Sequence, residues 1–141
     1  AEFVCSTPAL GCNVGAFDPS RGPRCFFPWA GAERGSAEFR LLLNPGGFEA
    51  LDWADASFGS APAGAVRGCE RRDVLVGRGP AGLGKASREH RALFAAVEGE
   101  EVWYKWYQVL AVRQGAGDVA ISDVSYNGSA AVESGEPAVL V

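Results

Sequence analysis

His90 is the only histidine in the chain. It stands in a charged run, Ser87-Arg88-Glu89-His90-Arg91, with no Gly-x-Ser-x-Gly element to supply a nucleophile beside it. Asp52 and Asp55 come nearest to the carboxylate pair of glycoside hydrolysis. Placed i, i+3 around Trp53, they read more simply as solvated or capping groups. A small hydrolase is therefore the weakest of three functional readings, and the expectation is a protein that is not an enzyme. The densest aromatic cluster is Trp103-Tyr104-Lys105-Trp106-Tyr107. Ring faces of this kind stack on the apolar side of a sugar. Strict alternation puts Trp103 and Tyr107 on one face and Tyr104 and Trp106 on the other. One pair is then core, while the other is inter-sheet packing, a self-association surface leading to a homo-oligomer, or a platform built on Trp103 or Trp106.

The four cysteines, Cys5, Cys12, Cys25 and Cys69, match neither a paired C-x-x-C zinc pattern nor a redox motif. No metal site and no phosphate-cradling glycine loop is expected, and no cofactor is implied. Two structural disulfides are the better reading, and they point to an oxidising compartment. Three pairings are open. The preferred one closes a small Cys5–Cys12 loop around Pro8 and Gly11 and leaves Cys25 with Cys69. Asn127-Gly128-Ser129 is an N-glycosylation sequon, a weak addition to the case for a secreted protein. The opening Ala1-Glu2-Phe3 reads as a vector scar, and a leader is expected to be already removed.

A chain of 141 residues, 48% hydrophobic and 21% charged, suits one domain, 1–141, with a real core. The formal charge of -4 has the wrong sign for a partner recognised through its phosphates, so nucleic acid is not expected. No run approaches the roughly 20 apolar residues of a membrane-spanning helix.

The elements that must position these groups are short. Turn chemistry recurs at Asp18-Pro19, Gly22-Pro23, Asn44-Pro45-Gly46, Pro62-Ala63-Gly64, Gly79-Pro80 and Glu136-Pro137. Between such turns, apolar runs at 25–29, 39–43, 74–77, 92–97, 107–112, 119–124 and 138–141 predict strands. One stretch competes: Trp103, Trp106, Tyr107 and Leu110 also fit helical spacing. Sliding the chain by 68 residues sets Gly31 on Gly99, Glu33 on Glu101, Phe39 on Tyr107 and Leu42 on Leu110. The first copy, with Pro28, Gly31 and Gly35, is a poor helix, so both copies are read as extended. A looser offset of 72 sets Phe3-Val4 on Leu75-Val76. Repeats of this length indicate one supersecondary unit used twice.

An ordered series then runs through the second copy: Trp53; Gly59, Pro62, Ala65, Val66, Gly68; Leu75-Val76-Gly77-Arg78; Gly84-Lys85; Leu93 to Val97; Gly99-Glu100-Glu101; and Tyr107-Gln108-Val109-Leu110. This series resembles the DM-nine (natterin-like) repeat family over about residues 51–112. The resemblance implies an all-β fold of small antiparallel sheets, and lectin members that bind mannose. Residues 3–43 match only the later part of the pattern. Gly135-Glu136-Pro137-Ala138-Val139 echoes its missing start, with Tyr126 where Trp53 would stand. The architecture expected is two pseudo-repeats, circularly arranged, with the C-terminal segment 119–141 completing the N-terminal half repeat. The alternative is an unrelated tail. The chain is also too short to hold the aerolysin-type module that accompanies such repeats in natterin-like toxins.

The resemblance places Lys85 at the Gly-Lys position that helps to bind mannose, with Gly84 turning the backbone there. The family's acidic partner falls in Gly68-Cys69-Glu70-Arg71-Arg72-Asp73, so Glu70 and Asp73 are both candidates, though Cys69 replaces a glycine. Glu101 and Glu33 share Gly-x-Glu positions, where a carboxylate accepts from a sugar or from a turn N–H. None of Asn13, Val14, Gly15, Ala16 or Phe17 repeats Lys85 in the first copy, which leaves one competent site. The functional expectation is a secreted, lectin-like protein whose partner is a carbohydrate or glycoprotein, mannose-type sugars first. A structural or interaction protein of an extracellular coat or matrix is the runner-up.

Overall fold

The computed structural model describes residues 2–44, 50–69, 73–113 and 125–128. The chain is all-β. Among the described residues twelve strands form one antiparallel sheet, and the only helical element is a 3₁₀ turn at Pro19–Arg21. Strands β1 (Phe3–Thr7), β2 (Asn13–Phe17), β3 (Cys25–Trp29), β4 (Ala32–Ser36) and β5 (Arg40–Leu43) come first. Then follow β6 (Leu51–Ser57), β7 (Val74–Gly79), β8 (Gly82–Ser87), β9 (Ala92–Val97), β10 (Glu100–Tyr104), β11 (Trp106–Val112) and β12 (Ser125–Gly128). The order across the sheet is β12-β5-β1-β2-β3-β4-β10-β9-β8-β7-β11-β6.

The helical alternative at 103–110 is excluded, because the apolar alternation of Tyr107, Val109 and Ala111 sits in β11 between two partners. The expected faces of the aromatic cluster are corrected too. Lys105 separates β10 from β11, so Trp103 and Tyr107 lie on different strands. Tyr107 is buried, whereas Trp103 and Trp106 are 61% and 70% exposed.

At the centre, β4 meets β10 in a reciprocal pair. The Glu33 N–H donates to the Gly99 carbonyl at 2.8 Å and the Glu101 N–H to the Gly31 carbonyl at 3.1 Å. Further along, Gly15 of β2 and Gly84 of β8 do the same steric job. A Cβ on Gly15 would lie 1.8 Å from the Phe26 carbonyl oxygen, and one on Gly84 would lie 2.0 Å from that of Phe94. Gly84 is therefore a strand residue crossed by a neighbouring backbone, and the expected turn at Gly84 is corrected.

The sheet packs on itself around apolar clusters. One gathers Val4, Val14, Leu42, Val74, Val76, Leu110 and Val112, with Trp53 against it. A second holds Leu75, Ala86, Leu93, Tyr107 and Val109. Phe3, called part of a scar, begins β1 opposite Phe17 and packs beside a third cluster of Cys5, Phe17, Cys25 and Phe39.

Two disulfides form, but not in the preferred pairing: Cys5 bonds Cys25 and Cys12 bonds Cys69. In the β1–β2 hairpin Cys5 faces Gly15 and Thr7 faces Asn13. Cys12 thus lies three residues beyond the level of Cys5, roughly 10 Å along the strand, which is out of disulfide reach. The close crossing of β3 over Gly15 instead brings Cys25 to Cys5.

At one edge β12 pairs antiparallel with β5, Tyr126 opposite Leu42. At the other, β6 pairs with β11, Trp53 opposite Leu110. The strands expected at 119–124 and 138–141 lie outside the described residues.

Candidate functional site

Lys85 lies in the middle of β8, between Val76 of β7 and Phe94 of β9. Its side chain is only 7% exposed, so it is not a solvated turn lysine. The ammonium donates to Asn13 Oδ1 at 2.6 Å, and Asn13, itself fully buried, donates through Nδ2 to the Ala9 carbonyl at 3.0 Å. The Trp29 ring centroid is 4.9 Å from Nζ and that of Phe94 is 6.0 Å away, within cation–π range. Burial pushes the Lys85 pKa down because it disfavours the charged form, and the Glu101 carboxylate opposes that shift. Four strands beyond β8 therefore contribute: β2 through Asn13, β3 through Trp29, β9 through Phe94 and β10 through Glu101.

Glu101 accepts from a turn N–H, the Gly31 N–H donating to its Oε1 at 3.0 Å. Glu33, at the matching position, accepts a forked pair of bonds from Arg21 at 3.1 and 3.2 Å. Asp73 precedes β7 and its carbonyl accepts from the Arg88 N–H at 2.8 Å. That register sets it three residues along the ladder from Val76, which faces Lys85. Glu70 lies outside the described residues, and so does the side chain of Asn127, whose backbone pairs with Leu41.

By register, Ala16 holds the place in β2 that Lys85 holds in β8. Ala16 faces Phe26 as Lys85 faces Phe94, each following the glycine crossed by that carbonyl. A cavity of about 350 Å³ opens at Ala16, lined by Phe26, Glu33, Asp18 and Arg21 among others. Arg21 lies over the Phe26 ring at 3.7 Å. Sequence reasoning missed Asn13 as a partner and Arg21 and Trp29 altogether. Asn13 appeared only as a match for Lys85; its full burial as a polar residue was the signal, and that needs coordinates.

Asp52 pairs with Arg113, Nη2 to Oδ1 at 2.6 Å, and that bond holds the Asp52 carboxyl below its usual range. Asp55 accepts instead from Gln108 Nε2 at 3.3 Å. The two carboxylates are thus engaged by different partners. Among the described residues no three histidine, cysteine or carboxylate side chains gather as a metal site, and no helix is long and apolar enough to cross a membrane.

Natterin-3 of Thalassophryne nattereri is 38% identical to the chain over 130 residues, covering 92% of it. Over nearly its whole length the chain is natterin-like. Natterin-4 of the same organism is 35% identical over 89% of the chain, and Natterin-1 is 32% identical over 99%. The chain spans about a third of the length of these curated relatives, from 31% to 38%. No protein-family model matches.

Proposed function

We propose that the chain is a secreted, lectin-like recognition unit of the DM-nine kind that binds mannose-type sugars on carbohydrates or glycoproteins and catalyses no reaction. The natterin similarity and the two disulfides support the extracellular, lectin-like part. One observation carries the site: the Lys85 ammonium, the exposed edge of Trp29 and the Glu101 carboxylate converge from three strands. Lys85 has three N–H donors and Asn13 Oδ1 takes one, so donors remain for a sugar oxygen. Glu101 Oε1 receives Gly31, and Oε2 is the acceptor for a neighbouring hydroxyl. Trp29 supplies the ring face.

The structural-protein reading has its own support, because Lys85 and Glu101 each already hold an internal partner. Glu101→Gln separates the two. Gln keeps one acceptor for the Gly31 N–H and exchanges the charge and the second carboxylate oxygen for an NH2 donor. On the lectin reading, titration with methyl α-mannoside at millimolar concentration shows binding by the native chain. Binding by the variant is weaker by roughly tenfold or more, the loss of a charge-assisted bond of about 1.5 to 3 kcal/mol, with the melting temperature kept. No binding of this sugar by the native chain favours the structural reading.

A further inference from the structure

Strands β7, β11 and β6 change character together. On one face β7 presents Val74 and Val76, β11 presents Leu110 and Val112, and β6 presents Leu51 and Trp53, all at the first apolar cluster. The next residues of the same parity are Arg78, Gln108 and Asp55. Register sets them side by side, Gln108 opposite Arg78 on one flank and opposite Asp55 on the other. They are bonded in a row: Arg78 Nε donates to Gln108 Oε1 at 2.8 Å, and Gln108 Nε2 donates to Asp55 Oδ1 at 3.3 Å. Two tryptophans bracket the row. Trp53 lies beneath the Arg78 guanidinium at 4.5 Å, and Trp106, one rung further out, is 70% exposed and held edge-on by Phe58 with centroids 5.0 Å apart. The row floors an open depression of about 480 Å³ walled by Pro80 and Trp106.

The row holds donors and an acceptor fixed beside an uncovered indole, so hydrogen-bonding groups and an apolar ring face are presented together. We infer that this face is a second glycan-binding site, taking a neutral oligosaccharide of at least two rings. The row fixes three different groups toward one depression. The Nη groups of Arg78 and the second N–H of Gln108 donate, and Asp55 Oδ2 accepts, which suits vicinal hydroxyls that both give and take a bond. Arg78 and Asp55 cancel in charge, so an anionic sugar gains little. Trp106 offers its face to the apolar side of a ring. The depression of about 480 Å³ is larger than one pyranose. No residue is shared with the Lys85 site, and the inference stands without that site.

The test is a titration of the native chain with cellobiose and maltose, with 3′-sialyllactose as the anionic comparison, followed by tryptophan fluorescence. The expected result is binding of at least one neutral disaccharide at millimolar concentration. Trp106→Ala and Asp55→Asn each weaken it about tenfold. Asp55→Asn is isosteric and exposed, so it reports on the site even if Trp106→Ala disturbs folding. Binding of neither neutral disaccharide overturns the inference, as does binding that both variants leave intact or binding of sialyllactose alone. Failure of the monosaccharide titration at Lys85 leaves this outcome readable, because the two sites are read by different variants.

Discussion

Replacing Lys85 by Met keeps an unbranched side chain, one atom shorter, and removes its charge. Two consequences oppose each other. The buried Asn13 Oδ1 loses its 2.6 Å donor, and an unsatisfied buried acceptor costs about 1 to 3 kcal/mol. Against that, the penalty for burying the ammonium disappears. The hydrogen-bond loss is expected to win, since Asn13 is fully buried and water cannot reach it, so Lys85→Met destabilises by about 1 to 2 kcal/mol. Urea unfolding of Lys85→Met, Asn13→Ala and the double variant isolates the pair, with a coupling of roughly 1 kcal/mol or more. The pH dependence supplies an independent sign. Burial lowers the Lys85 pKa in the folded chain, so between that lowered value and the ordinary lysine value the unfolded state holds more protons. Stability from this group therefore rises with pH across that alkaline window and is lowest below it. Lys85→Met lacks that rise. A coupling indistinguishable from zero, or the same alkaline slope in both proteins, refutes the buried Lys85–Asn13 bond and with it the site built around it.

Other expectations follow from the same geometry. The Gly59 N–H donates to the Tyr107 hydroxyl at 2.7 Å, so Tyr107→Phe should lower unfolding free energy by about 1 kcal/mol in a denaturant titration. Gly84→Ala places a Cβ 2.0 Å from the Phe94 carbonyl oxygen; a cost of at least about 3 kcal/mol is expected, and a soluble variant melting like the native chain contradicts the close strand crossing. Nonreducing peptide mapping should find Cys5 with Cys25 and Cys12 with Cys69. With separations of 20 and 57 residues, loop entropy assigns roughly 3 and 4 kcal/mol to the two bonds, so Cys12→Ser with Cys69→Ser should be the more destabilising pair of changes.

Much of the fold was legible because it is local. Strands 25–29 and 92–97 fall where apolar runs between turn residues put them, and β5, β7 and β11 differ by a residue or two at their ends. The strands passed over are β1, β2, β4, β6, β8, β10 and β12; of these, β2, β4, β8 and β10 interrupt their apolar residues with Gly, Glu, Lys or Ser. The extended form of these four comes from neighbours on both sides rather than from their own propensity. The disulfide pairing was not legible, since it depends on a backbone crossing that only Gly15 permits. The burial of Lys85 was hidden for a similar reason: a Gly-Lys dipeptide reads as a turn, whereas here Gly makes room for a crossing strand and Lys is thereby covered.

The position equivalent to Lys85 shows why site chemistry was harder to read than strands. Register makes Ala16 its counterpart, and a residue-by-residue comparison of the two copies ends there, with a missing cation. The coordinates nevertheless put a cation over the counterpart phenylalanine. Arg21 reaches Phe26 from the 3₁₀ turn that Asp18 caps, its side chain accepting from the Ser20 N–H, and it forks onto Glu33, the counterpart of Glu101. A positive group, a phenyl ring and a Gly-x-Glu carboxylate thus meet in both places, although the positive group comes from a strand in one and from a loop in the other. Lys85 is enclosed and bonded to a neutral amide, with the Glu101 carboxylate acting on its charge. Arg21 is partly exposed and already neutralised by a carboxylate, so its charge is spent on the fold. The difference between the two places therefore lies in what each cation is paired with, and that pairing is set by a tertiary contact, Asn13 against Lys85, spanning 72 residues.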